Sequence, residues 1–352
     1  MKQKIFKILV IVLIIKILTN GYVFAENVPE IWANSYIVID ADSGRIIGSK
    51  NANVKLPMAS TTKIMTTILS IDKIKNLSKV VEIPESCTNI EGSSLYLKPK
   101  QKVTVMDLLY GTMLRSGNDA ALALATIAGK NNEEKFIVMM NEKADELGAY
   151  NTNFVNPNGL HDSEHYTTAY DLALISKYAM KNEVFREIVS AKKYEAESLD
   201  TVIYNKNKVV HQYEYGSGIK IGYTKAAGRC LVASAKKENT EIIVVVLNDN
   251  NWFNDSYKLF DWAFENYNSY NILDKGQYIC DSNNGEPIFS YEGFSYLLKD
   301  KEKDKIKLET NVVAPHIVSG QNYMSYGTYN IYLNDIIIFT GNLISDKNYN
   351  NN

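Results

Sequence analysis

The chain begins with a pattern that predicts one short hairpin, and in the rest of its first half the apolar residues recur mainly at helical spacing. Ser35–Ile39 alternates apolar residues and Arg45–Gly48 resumes the pattern after a turn, which predicts two paired strands. Pro57 precedes an apolar run with helical spacing, so Ser60 is expected close to the start of a helix. Further along, the pattern predicts a loop over Ser93–Gln101, helices over Val105–Ala128, a turn at Asn156–Gly159 and a helix over Thr168–Met180.

The second half changes to extended spacing. Three consecutive strands are predicted over Gly218–Tyr223, Cys230–Ala235 and Glu241–Leu247. The amphipathic helix Trp252–Tyr267 follows, with regularly spaced aromatic residues that we expect to pack rather than to bind a ligand. From residue 269 onward, short alternating segments separated by turns predict a small β-rich module.

These patterns divide the chain into four segments. Residues 1–25 have a basic start, an apolar centre and small residues at the end, which predicts an export signal. The alternative is an uncut membrane anchor, for which the apolar run is short and interrupted by Lys16. Residues 26–268 are expected to form the main domain, residues 269–345 the β-rich domain, and the Asn-rich residues 346–352 a disordered tail.

Charge and cysteine content narrow the function classes. The formal net charge of the 352 residues is −2, which gives no support to nucleic-acid binding. The three cysteines, Cys87, Cys230 and Cys280, are odd in number and lack the spacing of metal ligands. We therefore expect three unpaired, mostly buried thiols and no structural metal.

One serine and one lysine are candidates for nucleophilic catalysis. Lys63 follows Ser60 by three residues, which brings an amine and a hydroxyl to the same helix face. A serine hydroxyl needs such a base, and burial would lower the pKa of the lysine enough for it to act unprotonated. The same spacing occurs in four other pairs, which are Ser70/Lys73, Ser190/Lys193, Ser217/Lys220 and Ser234/Lys237. Only Ser60 is predicted at a helix N-terminus, where free N–H groups can hold an oxyanion.

Two further polar clusters have both a catalytic and an ordinary interpretation. Ser116 and Asn118 interrupt an apolar helical stretch, either as a proton relay and an amide that holds substrate or as a capped helix-to-helix loop. Lys220-Ile221-Gly222 falls on a predicted strand, where the cation could attract an anion and the glycine could permit close approach of a backbone. Alternatively, Lys220 lies on an exposed strand edge.

In this order, the clusters resemble the nucleophile and companion motifs of the low-molecular-mass penicillin-binding proteins, the D-alanyl-D-alanine carboxypeptidases. The resemblance extends over about Trp32–Phe264 and includes the segments Leu56–Thr66 (LPMASTTKIMT), Gly92–Asp119, Asn156–Asp171 and Gly222–Ala235. It implies an α/β (α+β) fold with an antiparallel sheet flanked by helices, of the serine β-lactamase and penicillin-binding transpeptidase type. The small β-rich domain fits the usual second domain of the family.

The resemblance also implies an activity and a role for each site residue. Ser60 would attack the bond between two D-alanines of a peptidoglycan pentapeptide stem, and Lys63 would take its proton. Ser116 would donate a proton to the leaving D-alanine, and Asn118 and Lys220 would bind the substrate. Gly222 and the N–H of Tyr223 would lie beside the oxyanion. β-Lactams would acylate Ser60, and no cofactor, metal or nucleic acid is involved. The enzyme would be exported, with membrane attachment only where the signal stays uncut.

The third motif departs from the family pattern, because Ile221 stands where the family has threonine. That threonine helps to bind the terminal carboxylate of the substrate, and isoleucine cannot donate a hydrogen bond. Strand alternation places Thr224 on the opposite face from Ile221, so Thr224 is not expected to replace it. The alternative is therefore a weakly active or inactive penicillin-binding protein. A class A β-lactamase is disfavoured, since the sequence lacks the glutamate segment that activates its deacylating water.

Overall fold

The computed structural model describes residues 28–317 and 324–345. The predicted signal at residues 1–25 and the predicted tail at 346–352 lie outside the described residues. A short stretch ends at Glu30, and one compact unit begins at Ile31. Among the described helices, none has both the length and the apolar character needed to cross a membrane.

The helices predicted after Ser60, within Val105–Ala128, over Thr168–Met180 and over Trp252–Tyr267 are all present. The helices of the structure are α1 (Lys63–Lys73), α2 (Val105–Tyr110), α3 (Asn118–Ala128), α4 (Glu133–Glu146), α5 (Ala169–Met180), α6 (Glu183–Ser190), α7 (Val209–Gln212) and α8 (Trp252–Asn266). Of these, α4, α6 and α7 were not predicted. A 3₁₀ turn, Ala59–Thr62, leads directly into α1, and a π-helical turn, Gly111–Arg115, follows α2.

The strands fall into a main sheet, a C-terminal group and short hairpins. They are β1 (Ser35–Asp40), β2 (Ile46–Lys50), β3 (Val80–Glu82), β4 (Lys102–Thr104), β5 (Lys193–Ala196), β6 (Thr201–Tyr204), β7 (Gly216–Thr224), β8 (Gly228–Lys237), β9 (Thr240–Leu247), β10 (Asn268–Leu273), β11 (Tyr278–Asp281), β12 (Pro287–Ser290), β13 (Phe294–Leu298), β14 (Ile306–Ile317), β15 (Met324–Leu333) and β16 (Ile336–Ser345).

The main sheet is antiparallel, with the strand order β2-β1-β9-β8-β7. Strand β9 is buried along its whole length, because α5 and α8 both pack against it. Such two-sided burial explains why its sequence is an almost continuous apolar run. Strand β7 lies at the edge of the sheet and contacts the 3₁₀ turn that carries Ser60. The site is therefore built where the edge strand meets the helical region.

The aromatic residues of α8 pack, as predicted. The rings of Tyr257 and Phe260 lie 5.3 and 5.2 Å from the ring of Tyr213, and Phe260 is fully buried. The three cysteines are unpaired, as expected, and two of them, Cys87 and Cys230, are buried.

The C-terminal strands form a separate hydrophobic cluster in which Tyr329, Ile331 and Leu343 are fully buried. Their main sheet has the order β11-β12-β16-β15-β14. The predicted fold class, an antiparallel sheet with flanking helices and a β-rich C-terminal domain, is confirmed. The exact boundaries of the domains at residues 268 and 269 stay a prediction.

Arg45 connects the hairpin β1–β2 to the C-terminal strands. Its guanidinium donates two hydrogen bonds to the carboxylate of Glu302, at 3.0 and 2.6 Å, and lies over the rings of Tyr267 and Tyr296. The side chains of Arg45 and Glu302 are only 11% and 12% exposed. The β-rich part is thus fixed to the main sheet by a largely buried ion pair between planar, bidentate groups.

Candidate active site

Ser60 lies in a strained turn at the start of a buried helix. The preceding residue, Ala59, has a φ of +48°, a left-handed conformation that residues with a Cβ rarely adopt. The turn continues into α1, whose residues Ile64, Met65 and Ile68 are at most 1% exposed. Burial of this helix face holds the turn in place and leaves Ser60 half-buried. Ser60 lies close to the start of a helix, as the sequence predicted.

Lys63 makes three polar contacts in the interior. Its Nζ lies 3.0 Å from Ser60 Oγ and 2.7 Å from Asn118 Oδ1, and it donates to the carbonyl oxygen of Asn158. The side chain is fully buried. Burial first, and then the positive charge of Lys220, hold the pKa of Lys63 well below its ordinary value.

This arrangement matches the needs of a neutral amine. A neutral amine has two N–H groups and one lone pair, whereas Asn118 Oδ1 and the carbonyl of Asn158 only accept hydrogen bonds. Once these two acceptors are satisfied, the lone pair of Lys63 is left for the hydroxyl proton of Ser60. The contacts therefore suit a base that takes a proton from Ser60.

Ser116 and Asn118 lie at the predicted break in the helical stretch. The π-helical turn ends at Ser116, whose φ of 67° and ψ of 33° are left-handed, and α3 begins at Asn118. The amide nitrogen of Asn118 donates to the carbonyl of Glu91 at 2.5 Å, while its oxygen accepts from Lys63. Asn118 is therefore fixed from both sides, and Ser116, two residues before it, is buried.

Lys220 is not on an exposed edge, and that interpretation was wrong. It is 1% exposed, and its Nζ donates to the carbonyl of Ile221 at 3.0 Å. Burial, aided by the charge of Lys206, lowers the pKa of Lys220 to about 7. Strand β7 is an edge strand, but the turn at Ser60 covers the face from which Lys220 projects.

Gly222 allows β7 to approach the nucleophile. A Cβ at this position would lie 2.8 Å from the backbone nitrogen of Ser60 and 3.0 Å from that of Thr61. Any other residue would push the strand away from the turn. The next side chain, Tyr223, is 63% exposed, and Ile221 is half-buried. The alternation predicted for this strand is confirmed.

Thr224 takes part in the turn after β7. Its Oγ1 accepts a hydrogen bond of 3.0 Å from the backbone N–H of Ala227. This contact holds the β7–β8 connection and agrees with the expectation that Thr224 does not replace the hydroxyl missing at Ile221.

Two contributors to the site were missed by the sequence analysis. The carbonyl of Asn158 binds Lys63, yet its segment was predicted only as a turn, because a backbone acceptor has no side-chain signature. Lys206 approaches from another loop, with its Nζ 3.4 Å from Ser93 Oγ, and its charge acts on both Lys63 and Lys220. Nothing in the local spacing of Lys206 indicated this position.

Comparisons with known proteins agree with this geometry. The model of the D-alanyl-D-alanine carboxypeptidase family matches residues 22–251. The chain is 35% identical over 310 residues to D-alanyl-D-alanine carboxypeptidase DacF of Bacillus subtilis, covering 82% of this chain and 79% of that protein. Both matches favour the active enzyme over the inactive alternative.

Solved structures give the same result. Penicillin-binding protein 5 of Haemophilus influenzae is similar with a TM-score of 0.78 and 27% identity, over 91% of this chain and 98% of that one. A variant of a Streptomyces DD-transpeptidase is similar with a TM-score of 0.65 and 31% identity, over 68% of this chain and 100% of that one. With the family model matching most of its length, the chain belongs to the D-alanyl-D-alanine carboxypeptidase family of serine peptidases.

Proposed function

We propose that the chain removes the terminal D-alanine from peptidoglycan stem peptides through an acyl-enzyme on Ser60. Ser60 Oγ forms the new bond to the carbonyl carbon between the two D-alanines, while Lys63 Nζ takes the hydroxyl proton. The three contacts of Lys63 carry this proposal, since they leave its lone pair to Ser60.

The remaining residues act on the developing charge and the leaving group. The N–H groups of Ser60 and Tyr223 hold the oxyanion, and Gly222 lets the two backbones come together. The C–N bond then breaks, and Ser116 passes a proton to the amine of the departing D-alanine. Asn118 holds the stem peptide, and the positive charge around Lys220 attracts the terminal carboxylate of that peptide.

Water then attacks the acyl-enzyme and releases the shortened stem with Ser60 regenerated. An amine in place of water would complete a transpeptidation, which the similarity to a Streptomyces DD-transpeptidase makes the second candidate.

The purified mature protein should release D-alanine from a pentapeptide and be labelled at Ser60 by a fluorescent penicillin. Addition of an acceptor amine separates the two reactions, because transpeptidation yields a longer peptide and hydrolysis a shorter one.

We also propose that the protein acts outside the cytoplasm, at the cell wall or on the outward-facing surface of the membrane. The predicted signal at residues 1–25 and the peptidoglycan substrate both support this location. Cell fractionation with N-terminal sequencing is the test, and we expect a protein that begins after residue 25. A full-length form found tightly bound to the membrane would contradict cleavage and indicate an anchor.

Ile221 should weaken recognition of the substrate carboxylate. A hydroxyl in its place would donate one hydrogen bond to a charged group, so Ile221→Thr is expected to raise kcat/KM for D-alanine release by about 10- to 100-fold. The measurement is D-alanine release by wild type and variant. Ile221→Val is the matched control, because valine has the shape of threonine without its hydroxyl. Equal rates for the two variants, or for wild type and Ile221→Thr, would remove the proposed role of the hydroxyl.

A further inference from the structure

His165 is a buried histidine that the proposed reaction does not use. It is 2% exposed and lies between the loop that carries Asn158 and the turn that carries Ser60. Its two ring nitrogens have different partners, so their hydrogen bonds determine the tautomer of the ring.

The hydrogen bonds of His165 form a chain in which the donor and the acceptor of each bond can be assigned. The backbone N–H of Val155 donates to His165 Nδ1 at 3.1 Å, so Nδ1 carries no proton. In the neutral ring the proton is then on Nε2, which lies 2.7 Å from Thr62 Oγ1 and donates to it. With its oxygen accepting from His165, Thr62 donates its own proton to the carbonyl of Ala59 at 2.8 Å. Burial lowers the pKa of His165 to about 4, which keeps the ring neutral at neutral pH.

The chain of bonds ends on the peptide that precedes the nucleophile. A peptide unit is planar, so fixing the carbonyl of Ala59 also fixes the direction of the Ser60 N–H. This peptide is enclosed, since a Cβ on Gly159 would lie 2.1 Å from the Ala59 oxygen and one on Gly222 would lie 2.8 Å from the Ser60 nitrogen. The left-handed angle of Ala59 needs such restraint, because it is a strained conformation.

His165 therefore acts on the nucleophile through Thr62, whose hydrogen bond to the Ala59 carbonyl fixes the Ser60 N–H. The hydrogen bond from Val155 sets the tautomer of the ring and so makes Nε2 the donor to Thr62. We propose that His165 is a positioning residue for acylation, which aims the Ser60 N–H at the oxyanion through Thr62 and the Ala59 carbonyl. This inference rests on the proposed role of Ser60 as the nucleophile.

Two substitutions of His165 separate positioning from simple structural support. Glutamine keeps a donor at the place of Nε2 but loses the acceptor for Val155, whereas asparagine keeps an acceptor at the place of Nδ1 but loses the donor to Thr62. Each variant thus loses one hydrogen bond. We expect His165→Asn to lower the acylation rate constant by about 10- to 100-fold and His165→Gln to stay within about threefold of wild type. The rate constant is measured by stopped-flow with a fluorescent penicillin, at a temperature where both variants are folded.

A second pair tests the next link and remains decisive where the histidine variants do not fold. Thr62→Val removes the hydroxyl and should slow acylation as His165→Asn does, whereas Thr62→Ser keeps the hydroxyl and should acylate at nearly the wild-type rate. The concentration of penicillin that half-saturates the non-covalent complex should stay constant, because the oxyanion forms only during reaction. Equal rates in the asparagine and glutamine variants, or an unchanged rate in Thr62→Val, would overturn the role of His165 while labelled Ser60 still supports the proposed function. A wild type unlabelled at Ser60 would overturn both.

Discussion

Ser60→Ala should abolish both D-alanine release and covalent labelling by penicillin. Alanine has no oxygen to bond to the carbonyl carbon, so no acyl-enzyme can form, and loss of a nucleophile of this kind lowers kcat by about 10⁴-fold or more. The substitution removes one half-buried oxygen whose contact is with Lys63, so the fold should be retained. Labelling is followed by gel fluorescence and mass spectrometry, and D-alanine by a coupled assay.

Ser190→Ala is the matched control for that experiment. Ser190 also precedes a lysine, Lys193, by three residues, but it is exposed at the end of α6 and its Oγ donates to the carbonyl of Glu187. This variant should keep wild-type labelling and turnover. Labelling that persists in Ser60→Ala, or that disappears in Ser190→Ala, would contradict the assignment of the nucleophile.

The five equally spaced Ser/Lys pairs show what sequence spacing can and cannot determine. Spacing brings Ser60 and Lys63 to one helix face, but it does the same for Ser70 and Lys73 on the next turns of α1. The difference is burial: Lys63 is fully buried, whereas Lys73 is exposed and Ser70 Oγ donates to the carbonyl of Thr66. Only tertiary packing removes a lysine from water, and that removal lowers its pKa.

The companion motifs were predictable as motifs, but their contacts were not. Asn118 contacts Lys63 across 55 positions of sequence, and the Asn158 carbonyl does so across 95. Contacts at such separation depend on how the elements pack, whereas hydrophobic spacing reports only local periodicity. The break at Ser116 was predicted from its polar residues, but the π-helical turn that creates it has no distinct sequence signal.

Lys220 shows why a strand-edge residue is difficult to assign from sequence. Alternation correctly placed Lys220 and Gly222 on one face of β7, and Ile221 and Tyr223 on the other. Alternation could not show which face of β7 is covered by other parts of the protein. The turn at Ser60 covers the face of Gly222, which excludes water from Lys220 as well. A lysine with a pKa near 7 results from this burial, and no local pattern contains that information.

Lys63→Met should remove the base while leaving the nucleophile in place. Methionine has a similar length and no charge, so it suits a buried site but cannot take the proton of Ser60. General-base catalysis contributes about 10²- to 10⁴-fold, and we expect acylation by penicillin to slow by about 10³-fold or more. The rate constant is measured by stopped-flow, and thermal unfolding checks that the variant is folded.

Lys63→Arg distinguishes a base from a fixed positive charge. Arginine stays protonated at all working pH values, so Lys63→Arg should acylate as slowly as Lys63→Met if the lysine acts by accepting a proton.

The pH dependence of acylation gives an independent measurement of the same role. Burial holds the pKa of Lys63 well below its ordinary value, so wild-type acylation should decrease as pH falls through that lowered pKa and the lone pair is lost, which gives the pH profile an acid limb. The methionine variant should lack this acid limb. An arginine variant that acylates at the wild-type rate, or an acid limb that persists in Lys63→Met, would assign the base to another group.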